Sequence, residues 1–102
     1  MIVLDKIESG YTFKIQAESE EALMESMVFS TKEEVTHIIN ALTNSPITQF
    51  TFERKTNNSG KFLFNVKDSS GRLVGTSQLY NSEAGMQNGI KNLKITLASL
   101  KS

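Results

Sequence analysis

The feature that most limits what this 102-residue chain can become is a self-similarity at fixed spacing. Tyr11 to Leu42 lies over Phe62 to Leu93 without a gap. Phe13 falls on Phe64, Ser19 on Ser70, Ser26 on Ser77, Ile39 on Ile90 and Leu42 on Leu93. Conservative pairs fill in between: Tyr11 with Phe62, Ile15 with Val66, Leu23 with Val74, Val28 with Leu79, Phe29 with Tyr80. Identities are few; what repeats is the order of strand, turn, strand, cap and helix. A unit of this size offers one apolar sheet face and one apolar helix stripe and buries neither well alone, so the two are expected to share a core. The chain therefore reads as one domain over residues 1–102, with a first repeat in 1–46 and a second in 47–102.

Each unit has its own punctuation. Ile2 to Ile7 alternates weakly and Ser9-Gly10 turns the chain. Tyr11, Phe13, Ile15 and Ala17 then alternate with Thr12, Lys14 and Gln16, the period of a half-buried strand. After the polar Glu18 to Glu21, the third strand runs from Ala22 to Phe29. Ala22, Met24, Ser26 and Val28 carry no charge while the opposite set includes Glu25, so the first set is expected to face the core. Ser30 or Thr31 caps a helix, each with a glutamate three residues on, and Val35, Ile38, Ile39 and Leu42 form one stripe. Thr43 to Pro46 stops it. In the second unit Ile47 to Lys55, with Phe50 and Phe52 on one face, is a strand and Asn57 to Gly60 a turn. Phe62, Phe64 and Val66 mark the next strand, Asp68 to Gly71 a turn, and Arg72 to Tyr80 the third strand. Asn81 or Ser82 caps a helix striped by Met86, Ile90, Leu93, Leu97 and Leu100.

Composition removes several function classes. With no cysteine there is neither a disulfide nor a thiolate metal site. The apolar run at the N-terminus is too short for a signal peptide, and no stretch approaches a membrane span. A cytoplasmic protein is expected. The net charge of zero hides a split. Through Phe50, three lysines face eight acids, a net −5; from Thr51 on, six lysines and two arginines face three acids, a net +5. Two packed halves with complementary surfaces account for this, as does a basic interaction face in the second half.

The pattern of the second unit resembles the YegP-like family, small proteins built from one or two copies of a short domain of unknown function. The residues that carry the resemblance are Gly60, Phe62 and Phe64 at a strand start, Gly71 at a turn, Ser77 and Tyr80 at a strand end, and Asn88-Gly89-Ile90 on the helix. The first unit keeps Phe13, Ser26 and Ile39 but has Glu20 at the turn glycine's place and His37-Ile38 for Asn88-Gly89. The resemblance implies an α+β fold: two βββα repeats about a pseudo-two-fold, sharing one antiparallel sheet with exchanged helices packed on one face. It implies no activity.

No residue set for catalysis, a cofactor or a metal stands out. His37, the sole histidine, lies about 200° round the helix from Val35 and points away from the apolar stripe. Ser26 and Ser77 have no base to serve them, so buried hydroxyls bonding nearby backbone are expected. Ser77, Tyr80 and Asn88 are candidates for a structural or interaction role. Two functional readings follow. One is a monomeric, non-catalytic module that binds a protein or peptide through its open sheet face or an edge strand. The alternative is a weak nucleic-acid binder using Arg54, Lys55, Lys61, Lys67 and Arg72 as phosphate contacts; zero net charge and a βββα order disfavour it. Gly75 and Gly89 fall at core-facing positions where the first unit has Met24 and Ile38. One of those two is expected to fill the space the glycines leave.

Overall fold

Side-chain acceptors set the turns of the second half, and the turns set the strands. Asn57 Oδ1 accepts from the amides of Ser59 (3.0 Å) and Lys61 (2.9 Å). Asp68 Oδ1 does the same for Ser70 and Arg72, both at 3.0 Å. Each loop closes on a glycine in the left-handed region, Gly60 (φ 77°) and Gly71 (φ 86°), which a side chain would strain. A computed structural model describes residues 1–19, 21–44 and 49–100. Strands β1 (Ile2–Ile7), β2 (Gly10–Gln16) and β3 (Ala22–Ser26) precede helix α1 (Lys32–Asn44). Strands β4 (Thr51–Thr56), β5 (Phe62–Lys67) and β6 (Leu73–Thr76) precede α2 (Glu83–Ser99). Of the expected fourth strand, Ile47 and Thr48 lie outside the described residues, as do Glu20 and the helix stop at Ser45-Pro46.

The strands form one antiparallel sheet in the order β1-β2-β3-β6-β5-β4, which leaves β1 and β4 as free edges. The seam between the halves is narrow. Glu25 pairs with Thr76 and Ser26 with Gly75, and the Met27 amide donates to the Val74 carbonyl at 2.9 Å. Val35, Ile38 and Leu42 of α1 and Met86, Ile90, Leu93 and Leu97 of α2 join Phe13, Ile15, Phe64 and Val66 in a single core. The other sheet face carries polar side chains, with Lys14, Glu25, Thr76, Asn65 and Glu53 in one row across the paired strands.

The third strands differ from expectation in an instructive way. Ile15 pairs with Met24 but Gln16 pairs with Ala22, so Leu23 is an extra residue. In β6 the same count leaves Val74 extra. A bulge of this kind brings two consecutive side chains to one side. Leu23 and Met24 are accordingly both buried, whereas Ala22 is exposed and Val28 is 50% exposed. The strands also end early. The Phe13 amide donates to Ser26 Oγ (2.8 Å), which donates on to the Met27 carbonyl (2.8 Å). The Phe64 amide, Ser77 Oγ and the Gln78 carbonyl repeat this at 2.9 and 2.8 Å. With a hydroxyl standing in for a ladder carbonyl, regular pairing stops, to resume as single bridges at Tyr11–Phe29 and Phe62–Tyr80.

Both helices are capped. Thr31 Oγ1 accepts from the Glu34 amide (3.2 Å), and Ser82 Oγ from the Gly85 amide (3.0 Å). The stripes of the sequence are buried as expected except Ile39 and Leu100, which are half-buried. The two glycines part company. Met24 lies across the seam onto Gly75, where a Cβ would sit 2.9 Å from its methyl and 2.7 Å from the Glu25 carbonyl oxygen. Gly89 is covered by neither Met24 nor Ile38 but by Tyr80 of its own half, whose hydroxyl would be 2.2 Å from a Cβ there. The sequence expectation fails at Gly89 because Tyr80 folds back under the helix.

Candidate functional site

The built surface among the described residues is the seam between the free edge strand β4 and helix α2. Its backbone polarity follows from the neighbouring bonds. The Asn57 amide donates to the Lys61 carbonyl, while Phe62 exchanges both backbone bonds with Tyr80 on the far side of β5. Bonding alternates along an antiparallel pair, so Thr51, Glu53 and Lys55 bond inward. Phe52, Arg54 and Thr56 present their N–H and C=O to solvent. Their side chains lie opposite Val66, Phe64 and Phe62, on the helix side of the sheet.

A groove of about 360 Å³ runs there, lined by Arg54, Gln87, Ile90, Lys91, Lys94 and Ile95. Arg54 donates to Gln87 Oε1 at 3.1 Å. Lys94 Nζ sits 5.0 Å above the Phe52 ring, a cation–π contact. The groove continues past Arg54 into a second hollow with Lys55, Thr56, Phe62, Glu83 and Met86. On the open face, Glu53 bridges Lys55 (2.7 Å) and Lys67 (3.0 Å). Hydrogen bonds from Lys55, then Lys67, hold its carboxyl below the usual glutamate range.

The remaining sequence candidates are dispersed. Lys61 donates to Asn81 Oδ1. Arg72 reaches Glu34 at 3.5 Å and stands 5.3 Å from the Phe29 ring. Of the five basic residues of the nucleic-acid reading, Lys55 and Lys67 share Glu53 on the open face, while Arg54, Lys61 and Arg72 each bond a different acceptor, Gln87, Asn81 and Glu34. Arg72–Glu34 is also the one ion pair among the described residues that joins the acidic half to the basic half. The charge split is therefore not neutralised across the seam by a set of contacts. Ser77 is buried with its hydroxyl spent on backbone. Tyr80 stacks on Phe64, centroids 6.4 Å apart, and its buried hydroxyl has no hydrogen-bond partner among the described residues. Burial first, with the charge of Glu21 adding and Gln78 opposing, raises its pKa. Asn88 is exposed on α2, and so is His37 on α1. Sequence reasoning singled out Arg54 but missed Lys91, Lys94, Ile95 and Gln87. Their spacing of three to four residues on α2 was a visible signal of one face.

Comparison with known proteins places this geometry. Residues 57–97 match the family model described as a domain of unknown function, DUF1508. The UPF0339 protein PA0329 of Pseudomonas aeruginosa is 32% identical over 92 residues, spanning 89% of this chain and 84% of that protein. The chain belongs to the UPF0339 family. Its fold is also that of UPF0339 proteins solved in solution. The Shewanella oneidensis protein SO3888 superposes with a TM-score of 0.85 at 27% identity, covering 98% of this chain and 86% of that one. Escherichia coli YegP, itself described as a protein of unknown function, gives 0.82 at 28%, covering 96% and 85%. The UPF0339 chain is thus a small α+β protein with one six-stranded antiparallel sheet and two helices. No helix among its described residues is long and apolar enough to cross a membrane.

Proposed function

We propose that this chain is a non-catalytic interaction module that takes an extended segment of a partner protein along its β4 edge. The observation that carries the reading is the edge itself. Phe52, Arg54 and Thr56 offer backbone groups that no described residue pairs with, beside a groove, the arrangement by which a sheet accepts one more strand. Catalysis is no part of this reading, since both buried serine hydroxyls bond backbone and His37 is exposed on α1.

The module is built from two copies of a βββα unit, repeat one in 1–46 and repeat two in 47–102, and acts as a cytoplasmic monomer. The hydroxyl-for-ladder bonds recur at Ser26 and Ser77 and the bulges at Leu23 and Val74. Glu25 and Thr76 hold the same place in the two units and pair with each other, as a two-fold axis between them requires. Each unit then finds its partner within the chain, so no second copy is needed.

Panning a random peptide library against the wild type and Arg54→Pro tests the edge. Proline is tolerated where an edge N–H faces solvent, and it withdraws that donor from any added strand. Peptides that bind the wild type and lose Arg54→Pro, with thermal unfolding of the two proteins alike, are expected. A library yielding no binder, or binders indifferent to the proline, defeats the reading.

A further inference from the structure

The geometry points to the chemistry of the segment that the β4 edge takes: an extended stretch whose groove-facing side is an acidic residue flanked by apolar ones. This rests on the edge-binding reading above. Residues of an added antiparallel strand that bond Phe52, Arg54 and Thr56 send their side chains to the same face as those three, over α2. There they meet Arg54 and the ammonium of Lys94 above Phe52, with Lys91 exposed alongside. Beneath lies Ile90, and Ile95 is 57% exposed at the rim. No carboxylate among the described residues lines this groove. The acid on the seam, Glu83, lies in the neighbouring hollow with Phe62 and Met86.

An acidic side chain opposite Arg54 therefore approaches three cations, and a lysine in its place is repelled by them. Of the side chains two residues to either side, one lies over Phe52 and the isoleucines and the other, opposite Thr56, over the hollow with Phe62 and Met86; burying apolar surface is favourable at both. Residues of the added strand on the open face pass beside Lys55 and Glu53, which already pair with each other, so that face makes no demand on charge. The first half lacks the arrangement. Leu4 stands opposite Phe13 where Arg54 stands opposite Phe64. The positions 51 residues before Gln87, Lys91 and Lys94 are Thr36, Asn40 and Thr43. The acid preference belongs to β4.

The test is an amide-resonance titration of the full chain with acetyl-Thr-Leu-Thr-Glu-Thr-Leu-Thr-amide and its central Gln and Lys analogues. The Glu peptide is expected to move the amides of Phe52, Arg54 and Thr56. The Gln analogue should bind roughly tenfold more weakly, the Lys analogue more weakly still, with added salt narrowing the gap. The combined variant Arg54→Gln, Lys91→Gln, Lys94→Gln should bind the Glu and Gln peptides alike. Equal binding of all three peptides at β4 overturns the acid preference and leaves the edge reading standing. No shift at β4 with any peptide, or shifts at Ile2, Leu4 and Lys6 instead, removes the edge reading too. A single-stranded oligonucleotide that moves these same amides where the Glu peptide does not would assign the groove to nucleic acid and overturn the proposal.

Discussion

Tyr80 and Gly89 share one volume, and that decides what substitutions at either should do. Alanine in place of a mid-helix glycine normally gains about 1 kcal/mol. At Gly89 the new methyl would meet the Tyr80 ring, with the nearest ring carbon at 2.5 Å. Gly89→Ala is therefore expected to destabilise by about 1–3 kcal/mol in chemical denaturation, the cost of overpacking. Tyr80→Leu should recover part of the loss. Tyr80→Phe should cost little, since the hydroxyl it removes is buried with no partner among the described residues. It should also change the alkaline limb of the stability profile. A raised pKa means that the folded state holds the phenol proton more tightly than the unfolded chain does. Stability is then unaffected below the ordinary value near 10 and falls as pH climbs through the raised one. Melting curves of Tyr80→Phe should fall less steeply over that range than those of the wild type. Identical slopes would show that Tyr80 does not report on the core.

Strands and helices were legible where their punctuation is local, and the site was not. Caps at Thr31 and Ser82, the turns at Asn57 and Asp68 and the helix stripes depend on residues within a few positions of one another. The third strand of the first unit buries Met24 and Ser26 as expected but exposes Ala22 and buries Leu23, because a bulge shifts the period at Leu23 and only pairing with β2 reveals it. The β4–α2 groove was half visible, since Arg54 could be named but its neighbours on α2 come from more than thirty residues away. At this scale the paired serines make the sharpest prediction. Ser26→Ala and Ser77→Ala each leave a buried phenylalanine amide unpaired, at a cost of about 1–3 kcal/mol. Ser→Thr at either position keeps the acceptor and should recover part of that loss, which urea unfolding would register. If the alanine variants are neutral, the hydroxyls do not hold these strands in place.

Taken whole, the molecule is polarised along its sheet, with an acidic and a basic half joined by two residue pairs and a common core. Cutting the chain between residues 44 and 45 should give fragments that do not melt cooperatively alone, because each exposes half of that core. Two independently cooperative fragments would contradict this. A groove formed by Met1, Ala17 and Ser19 with Asn92, Ile95 and Leu100 shows the last turns of α2 against the start of the opposite half. That contact bears on how the native state opens to solvent. The Phe13 and Phe64 amides sit in different halves, each behind its own serine. Were the halves separate lids, the two protons would be lost to deuterium on separate clocks. Because neither half can lift without stripping the other's core, both amides should exchange only through the same global opening, at one free energy.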